Sequence, residues 1–519
     1  VQTLTRLALL VLGLSLGRAA PVDLLVLQTA DVHAAVGTAV LPDEGDARRL
    51  ATTIRRLRRA QGPDRTLVVD CGDTCQGSFA ARMTGGRIGI AVLESLAVDA
   101  WVPGNHDLDF GPATLLEWCQ SRRLPVLCGN LVIIGNGEPH AFPAWRCFER
   151  GGARIALIGA TASYMRKWLA DDSARHVQVD TAAAVLDRVL PEVLRGQPDL
   201  VVLATHQGWL ETDPRAVNEV HDIALRYPEI DLILGAHTHR QLPGLKIGPS
   251  TWYVQPGALA TQVGAVHVRL DTETHRILEL TSELVPADPT PDTEVAPELT
   301  ALLAQAEAAA GQVICRLPRA IPAGGTPGIS CAVSELISRA LAEATGAAVV
   351  LHGTLGRSGL PAGDIGERHL FALVPYENSI TVADLTPAEL ETVVAEQIAN
   401  RASYVYSGVW GAEVAILPAD AEREARVRLT RLQGTDGALP ERIRVAMNSH
   451  TAAGGGGRFP RLFEILQTAP AHRRVAGMHS REAVRTYLRR HADEPLEVRR
   501  WITGKLSALD VPEPAPETP

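Results

Sequence analysis

"AWVPGNHDLDFG", Ala100–Gly111, passes from apolar residues through Pro103 and Gly104 into an amide, an imidazole and two carboxylates. An apolar run that ends this way reads as a buried strand delivering polar side chains to a sheet edge. The pattern occurs four more times. "LLVLQTADVH" ends in Asp31 and His33, "TLVVDCGD" in Asp73, "DLVVLATH" in His206, and "DLILGAHTH" in His237 and His239. In open α/β sheets ligand crevices form beyond the carboxyl ends of strands, where rigid strands hold converging loops. Alternation along a strand puts residues i and i+2 on one side, which pairs Asp31 with His33 and His237 with His239.

With Asn105 added and His106 set aside, the strand ends supply Asp31, His33, Asp73, Asn105, His206, His237 and His239. A catalytic ion of the zinc type takes about three protein ligands, so this set suits two ions sharing a bridging carboxylate, with Asp73 as the bridge. Two ions roughly 3.5 to 4 Å apart lower the pKa of a shared water and neutralise phosphoryl oxygens, the chemistry of phosphoester hydrolysis. Mixed imidazole, carboxylate and amide ligands accommodate Zn, Mn, Co or Fe.

The chain has 519 residues, enough for two domains, and is 46% hydrophobic and 21% charged with a formal net charge of −9. That balance gives no general attraction for nucleic acid or anionic membrane, so an anionic small-molecule substrate needs a local site. Residues 1–20 have a cationic start at Arg6, an apolar stretch from Leu7 to Leu16 and small residues at Ala19 and Ala20. This is the layout of a signal peptide, shorter than a membrane span, and it predicts a periplasmic or secreted protein. Short apolar runs alternate with helical patterns over 21–284, an α/β arrangement. "LVPADPTPDTEVAP", Leu284–Pro297, interrupts it and opens a linker with a linker helix over 285–316. A second α/β domain is expected over 317–510 and a disordered tail over 511–519. Within it, Thr386, Pro387 and Glu389 open "TPAELETVVAEQIAN" with a capping box. In "DARRLATTIRRLRRAQ", Leu50, Ile54 and Leu57 recur at helical spacing, which makes the arginines a solvated face rather than a polyanion site. The seven cysteines show neither a C-x-x-C pair nor a disulfide framework, although Cys71 and Cys75 are close enough in sequence for a bridge.

The motifs "DVH", "GDTCQG", "GNHDLDFG", "THQG" and "GAHTH", in this order across residues 31 to 239, resemble the calcineurin-like metallophosphoesterases, and within them the exported 5'-nucleotidase and UDP-sugar hydrolase group. The resemblance implies a four-layer β-sandwich flanked by helices, followed by a smaller α/β 5'-nucleotidase-type C-terminal domain. It implies one divalent ion on Asp31, His33, Asp73 and His239 and another on Asp73, Asn105, His206 and His237. His106 would contact the scissile phosphate, with Asp109 as its partner, and Asn130 in "LCGNL" would lie near the metal centre. Ala34 replaces a common Gly, and Asp107-Leu108 replace a common Glu-Phe.

The likeness is looser in the second domain, where such proteins recognise substrate. "LHGTLGRSGLPAG" keeps an arginine, Arg357, but Thr354 and Leu355 stand for a glycine pair. The two aromatic positions that clamp a base fall on Ile380 and His450, and the loop aspartate becomes Gly456. Ile380 and His450 cannot form the usual two-ring clamp. The expected activity is release of phosphate from nucleotides or related compounds. The alternatives are another ester, such as a cyclic phosphodiester, a nucleotide sugar or a sulfur ester, and an exported binding protein with a relic metal site.

Overall fold

Leu24 and Val26 face one way and Leu25 and Leu27 the other, and all four are buried, so Val22–Thr29 is a strand covered on both faces. The computed structural model describes residues 21–37, 44–167, 171–210, 218–295, 297–376, 378–403, 405–419, 425–468 and 473–509. The expected signal peptide and tail lie outside these residues. Val22–Thr29 is central in a five-stranded sheet ordered Arg276–Pro286, Gln262–Asp271, Val22–Thr29, Thr66–Asp70, Ala100–Trp101. A six-stranded sheet faces it, ordered Gln241–Ile247, Thr251–Pro256, Leu232–Leu234, Leu200–Thr205, Ala153–Ala160, Trp145–Arg150. Between the sheets Leu24, Val26 and Val69 meet Leu157, Val202 and Leu234.

The outer faces carry helices. Leu25, Leu27 and Val68 pack on Leu50 and Ile54 of helix Ala47–Gln61 and on Ile88 of Arg87–Leu96. Ile158, Val201 and Leu203 pack on Val185, Leu186 and Val189 of Ala182–Arg195. Four layers result: helix, sheet, sheet, helix. The arginines of Ala47–Gln61 lie on its outer side, where Arg55 pairs with Asp292 at 2.9 Å and Glu294 at 3.1 Å, and Arg58 with Asp99 at 3.2 Å. Helix Pro297–Ala310 buries Leu299, Leu302 and Ala306 in the same cluster, so the proline-rich connector is held against the first domain.

The second domain is built on a four-stranded sheet ordered Val349–Leu351, Ile443–Asn448, Ser379–Leu385, Arg473–His479, with helices Ala332–Thr345, Pro387–Ala399 and Ser480–His491. Helix Pro387–Ala399 begins as expected. The Glu389 N–H donates to Thr386 Oγ1, and the Glu389 carboxylate accepts from the Thr386 N–H at 2.8 Å. Among the described residues, no helix is long and apolar enough to cross a membrane. All seven cysteines are unpaired, with Cys71 and Cys75 buried in the core.

Val22–Thr29, Thr66–Asp70 and Ala100–Trp101 run parallel, as do Ala153–Ala160, Leu200–Thr205 and Leu232–Leu234. Their carboxyl ends therefore emerge together. Asp107 joins two of the loops that follow. Its fully buried carboxylate accepts N–H bonds from Asp73 (2.9 Å), Thr74 (2.9 Å), Cys75 (2.7 Å) and Gly104 (2.7 Å). An amide in its place would turn an N–H₂ donor toward backbone donors. Asp107→Asn is expected to lower unfolding stability by about 2–4 kcal/mol in chemical denaturation, and an unchanged midpoint would refute this role.

Candidate metal centre

The strands stop at Thr29 and Leu234, short of the polar residues, and the chain beyond them turns sharply. Asp31 (φ 50°), His33 (52°), Asp73 (54°), His237 (70°) and His239 (55°) all adopt the left-handed conformation. Non-glycine residues rarely do so, at a cost on the order of 1 kcal/mol or more each, and such outliers collect at functional sites. The sequence pairing of Asp31 with His33 and of His237 with His239 thus has a different origin from strand alternation: left-handed turns bring the side chains together. Gly104 is required by close approach, since a Cβ there would lie 2.2 Å from Asp73 Oδ1 and 2.7 Å from His206 Cε1.

These turns gather Asp31, His33 and His239 into one group and Asp73, His206 and His237 into another. Within each group the potential ligand atoms lie within 4.8 Å of one another. His33 Nε2 is 3.0 Å from His239 Nε2, which is 3.5 Å from Asp31 Oδ1. His206 Nε2 is 3.1 Å from Asp73 Oδ2. The Nδ1 atoms of His33 and His206 each lie 2.7 Å from a backbone carbonyl, of Gln76 and Cys71 respectively. A carbonyl only accepts, so Nδ1 carries the proton in each ring and Nε2 presents a lone pair inward. Asn105 Oδ1 and His206 Nε2 are buried without a hydrogen bond of good geometry. Facing lone pairs and orphaned acceptors suit divalent cations.

Electrostatics agree. Burial, then the nearby His239, brings His33 down to about 3, and burial, then His206, does the same for His237. Both are therefore neutral imidazoles, the form that binds metal. Burial alone would lower His206, but the Asp73 carboxylate outweighs it and brings the ring up to about 9, so its Nε2 offers a lone pair once a cation beside Asp73 takes the place of the proton. Burial pushes the Asp31 carboxyl well above its ordinary value, with Asp73 adding to the rise, a shift that an adjacent cation reverses.

His106 stands outside both groups. Its Nδ1 lies 2.8 Å from Asp109 Oδ2, its backbone N–H donates to Asp73 Oδ1 at 2.7 Å, and its ring centroid is 5.6 Å from that of His33. Burial lowers the pKa of His106, but Asp109 and then Asp73 more than offset this and raise it to about 10. At neutral pH the ring is a proton donor at the rim of the centre.

The remaining expected residues are placed differently. Asn130 spends its amide on backbone: Nδ2 donates to the carbonyls of Thr161 and Asp180, and Oδ1 accepts from the Thr161 N–H. Ile380 is fully buried in the core of the second domain and has no surface for a ligand. Arg357 is exposed. His450 lies within electrostatic reach of His106, which helps burial and Arg458 hold its pKa down. Two acids were given no role from the sequence. Asp107 ties the loops together, and Asp70 accepts from Thr29 Oγ1 (2.6 Å), Thr74 Oγ1 (2.7 Å) and the Gly72 N–H (3.0 Å). An acid inside an apolar run, as in "TLVVDCGD", was the available signal for Asp70.

Two families match the chain: calcineurin-like phosphoesterase over residues 24–241, and the 5'-nucleotidase C-terminal domain over 317–464. Protein UshA of Yersinia enterocolitica is 23% identical over 534 residues, covering 92% of both chains. A 5'-nucleotidase of Vibrio parahaemolyticus is 22% identical, covering 84% of this chain and 86% of its own. Among solved structures, a 5'-nucleotidase precursor from Thermus thermophilus has a TM-score of 0.69 at 21% identity, covering 93% of this chain and 99% of its own. The sulfate thiohydrolase SoxB from Thermus thermophilus has a TM-score of 0.63 at 19% identity, covering 92% and 96%. The chain belongs to the calcineurin-like phosphoesterases that carry a 5'-nucleotidase C-terminal domain, and it is a metal-dependent phosphoester hydrolase.

Proposed function

We propose that this hydrolase is an exported phosphomonoesterase of 5'-nucleotidase type that uses two divalent ions to release phosphate from nucleotides or related compounds. The observation that carries this reading is the pair of ligand groups, Asp31/His33/His239 and Asp73/His206/His237, with Asn105 Oδ1 unsatisfied and His106 beside them. In this reading Asp73 would be shared between the two sites and Asn105 would complete the second. Bound there, the ions supply activation of a water and neutralisation of phosphoryl oxygens. Residues 21–284 hold the ions, 285–316 connect and 317–510 recognise substrate. Export rests on the charge and apolar pattern of residues 1–20.

The protein groups divide the remaining work. His106, protonated and aimed by Asp109, donates a hydrogen bond to the phosphoryl group or a proton to the leaving oxygen. Its amide bond to Asp73 Oδ1 ties its position to that carboxylate. A second reading, hydrolysis of another ester, is favoured by the burial of Ile380 and by the fold shared with a sulfate thiohydrolase. A panel of nucleotides, nucleotide sugars, cyclic nucleotides and a thiosulfate ester separates the two.

Three outcomes are expected. Exhaustive chelation removes roughly two equivalents of metal by elemental analysis together with all phosphate release, and Zn, Mn or Co restores it; full turnover by metal-free protein would exclude the mechanism. His106→Ala loses about 10²–10⁴-fold in kcat while retaining its metal content; loss of metal instead would make His106 structural. Activity that depends on protonated His106 falls as pH rises through its pKa, which Asp109 holds up. Asp109→Asn therefore moves the alkaline limb of the kcat profile to lower pH, and an unmoved limb would uncouple the two residues.

A further inference from the structure

His237 and His239 stand one residue apart, yet each belongs to a different ligand group. Both are left-handed, so the turn that carries them persists only where its surroundings over-determine it. The backbone supplies part of that restraint. The His237 N–H donates to the Asp31 carboxylate, the Thr238 N–H to the Ala236 carbonyl at 2.8 Å, and the Ala236 N–H to the Gln207 carbonyl at 3.0 Å.

A second restraint comes from side chains of the neighbouring strand. Thr251–Pro256 runs parallel to Leu232–Leu234, with Val254 opposite Leu234, so its last residues lie alongside the turn. Tyr253 and Gln255, at i and i+2, share one face of that strand, and both are fully buried. Gln255 Oε1 accepts from the Thr238 hydroxyl at 3.1 Å and from the Tyr253 hydroxyl at 2.9 Å. Tyr253 Oη in turn accepts the Trp209 N–H at 3.1 Å. Trp209 lies three residues beyond His206, so one phenol joins the loop after His206 to the turn of His237 and His239. The backbone is packed down on these hydroxyls. A Cβ on Gly235 would lie 2.0 Å from Tyr253 Oη, and one on Gly208 would lie 2.2 Å from Thr238 Oγ1. Burial pushes the phenol pKa well up, so the hydroxyl keeps its proton and remains a donor.

We infer that Tyr253 is a positioning residue for the metal centre: its hydroxyl holds His237 and His239 through Gln255 and Thr238, and the loop of His206 through Trp209. The inference rests on the two-ion reading above. None of these four side chains belongs to either ligand group, so they act on the centre only through its histidines. The test is Mn titration of the metal-free full chain, with thermal unfolding of the same samples to confirm folding. The wild type is expected to take up two equivalents. Tyr253→Phe removes one oxygen and keeps the ring, and it should bind both equivalents about 10-fold more weakly. Thr238→Val should also weaken binding by about 10-fold, whereas Thr238→Ser, which keeps the hydroxyl, should retain wild-type affinity. If Tyr253→Phe does not fold, the Thr238 pair decides alone. Wild-type affinity in Tyr253→Phe, or equal weakening in Thr238→Ser and Thr238→Val, overturns the role of the hydroxyls and leaves the two-ion reading standing. A wild type that takes up fewer than two equivalents overturns that reading, and this role with it.

Discussion

Burying a carboxylate costs several kcal/mol unless donors or a cation compensate it, and the first domain buries four at one strand edge: Asp31, Asp70, Asp73 and Asp107. Two are compensated within the fold. Asp107 collects four backbone N–H groups and Asp70 two hydroxyls and one N–H. A third, Asp73, accepts the His106 N–H and is held well below its ordinary pKa, against burial, by the His206 and His106 rings. Asp31 is the exception: among the described residues the His237 N–H donates to it, and burial still pushes its carboxyl well up. The satisfied acids hold the loops in shape so that Asp31 stays in place.

The layers and the candidate ligands were readable for one reason. Strands covered on both faces are continuous apolar runs, so their ends, and the polar residues there, stand out in the sequence. The geometry that brings those residues together was not readable. It depends on five left-handed backbone positions occupied by Asp and His, residues that give no glycine signal. The role of Asp107 was hidden for a related reason, because its partners at 73–75 lie 32–34 residues away and meet it only after the loops have folded. In the second domain the position of Ile380 indicated a missing ring, but its burial follows from packing between strands and could not be seen in sequence.

Strain and function are distributed unevenly. Most of the first domain is unexceptional layered packing, and the left-handed turns at its strand ends draw on that stability. The second domain shows less strain before strand Ser379–Leu385, where the loop is pinned by ordinary hydrogen bonds to Arg481 and Ser480.

The attachment of the connector to the first domain has a mechanical consequence. Arg55 holds Asp292 and Glu294, and helix Pro297–Ala310 is packed through Leu299, Leu302 and Ala306, so these parts of the connector are fixed to the first domain. The next strand, Val313–Leu317, already pairs with Gly363–Gly366 of the second domain. A swing of one half against the other would therefore turn about Gly311 and Gln312, the two residues that separate the helix from that strand.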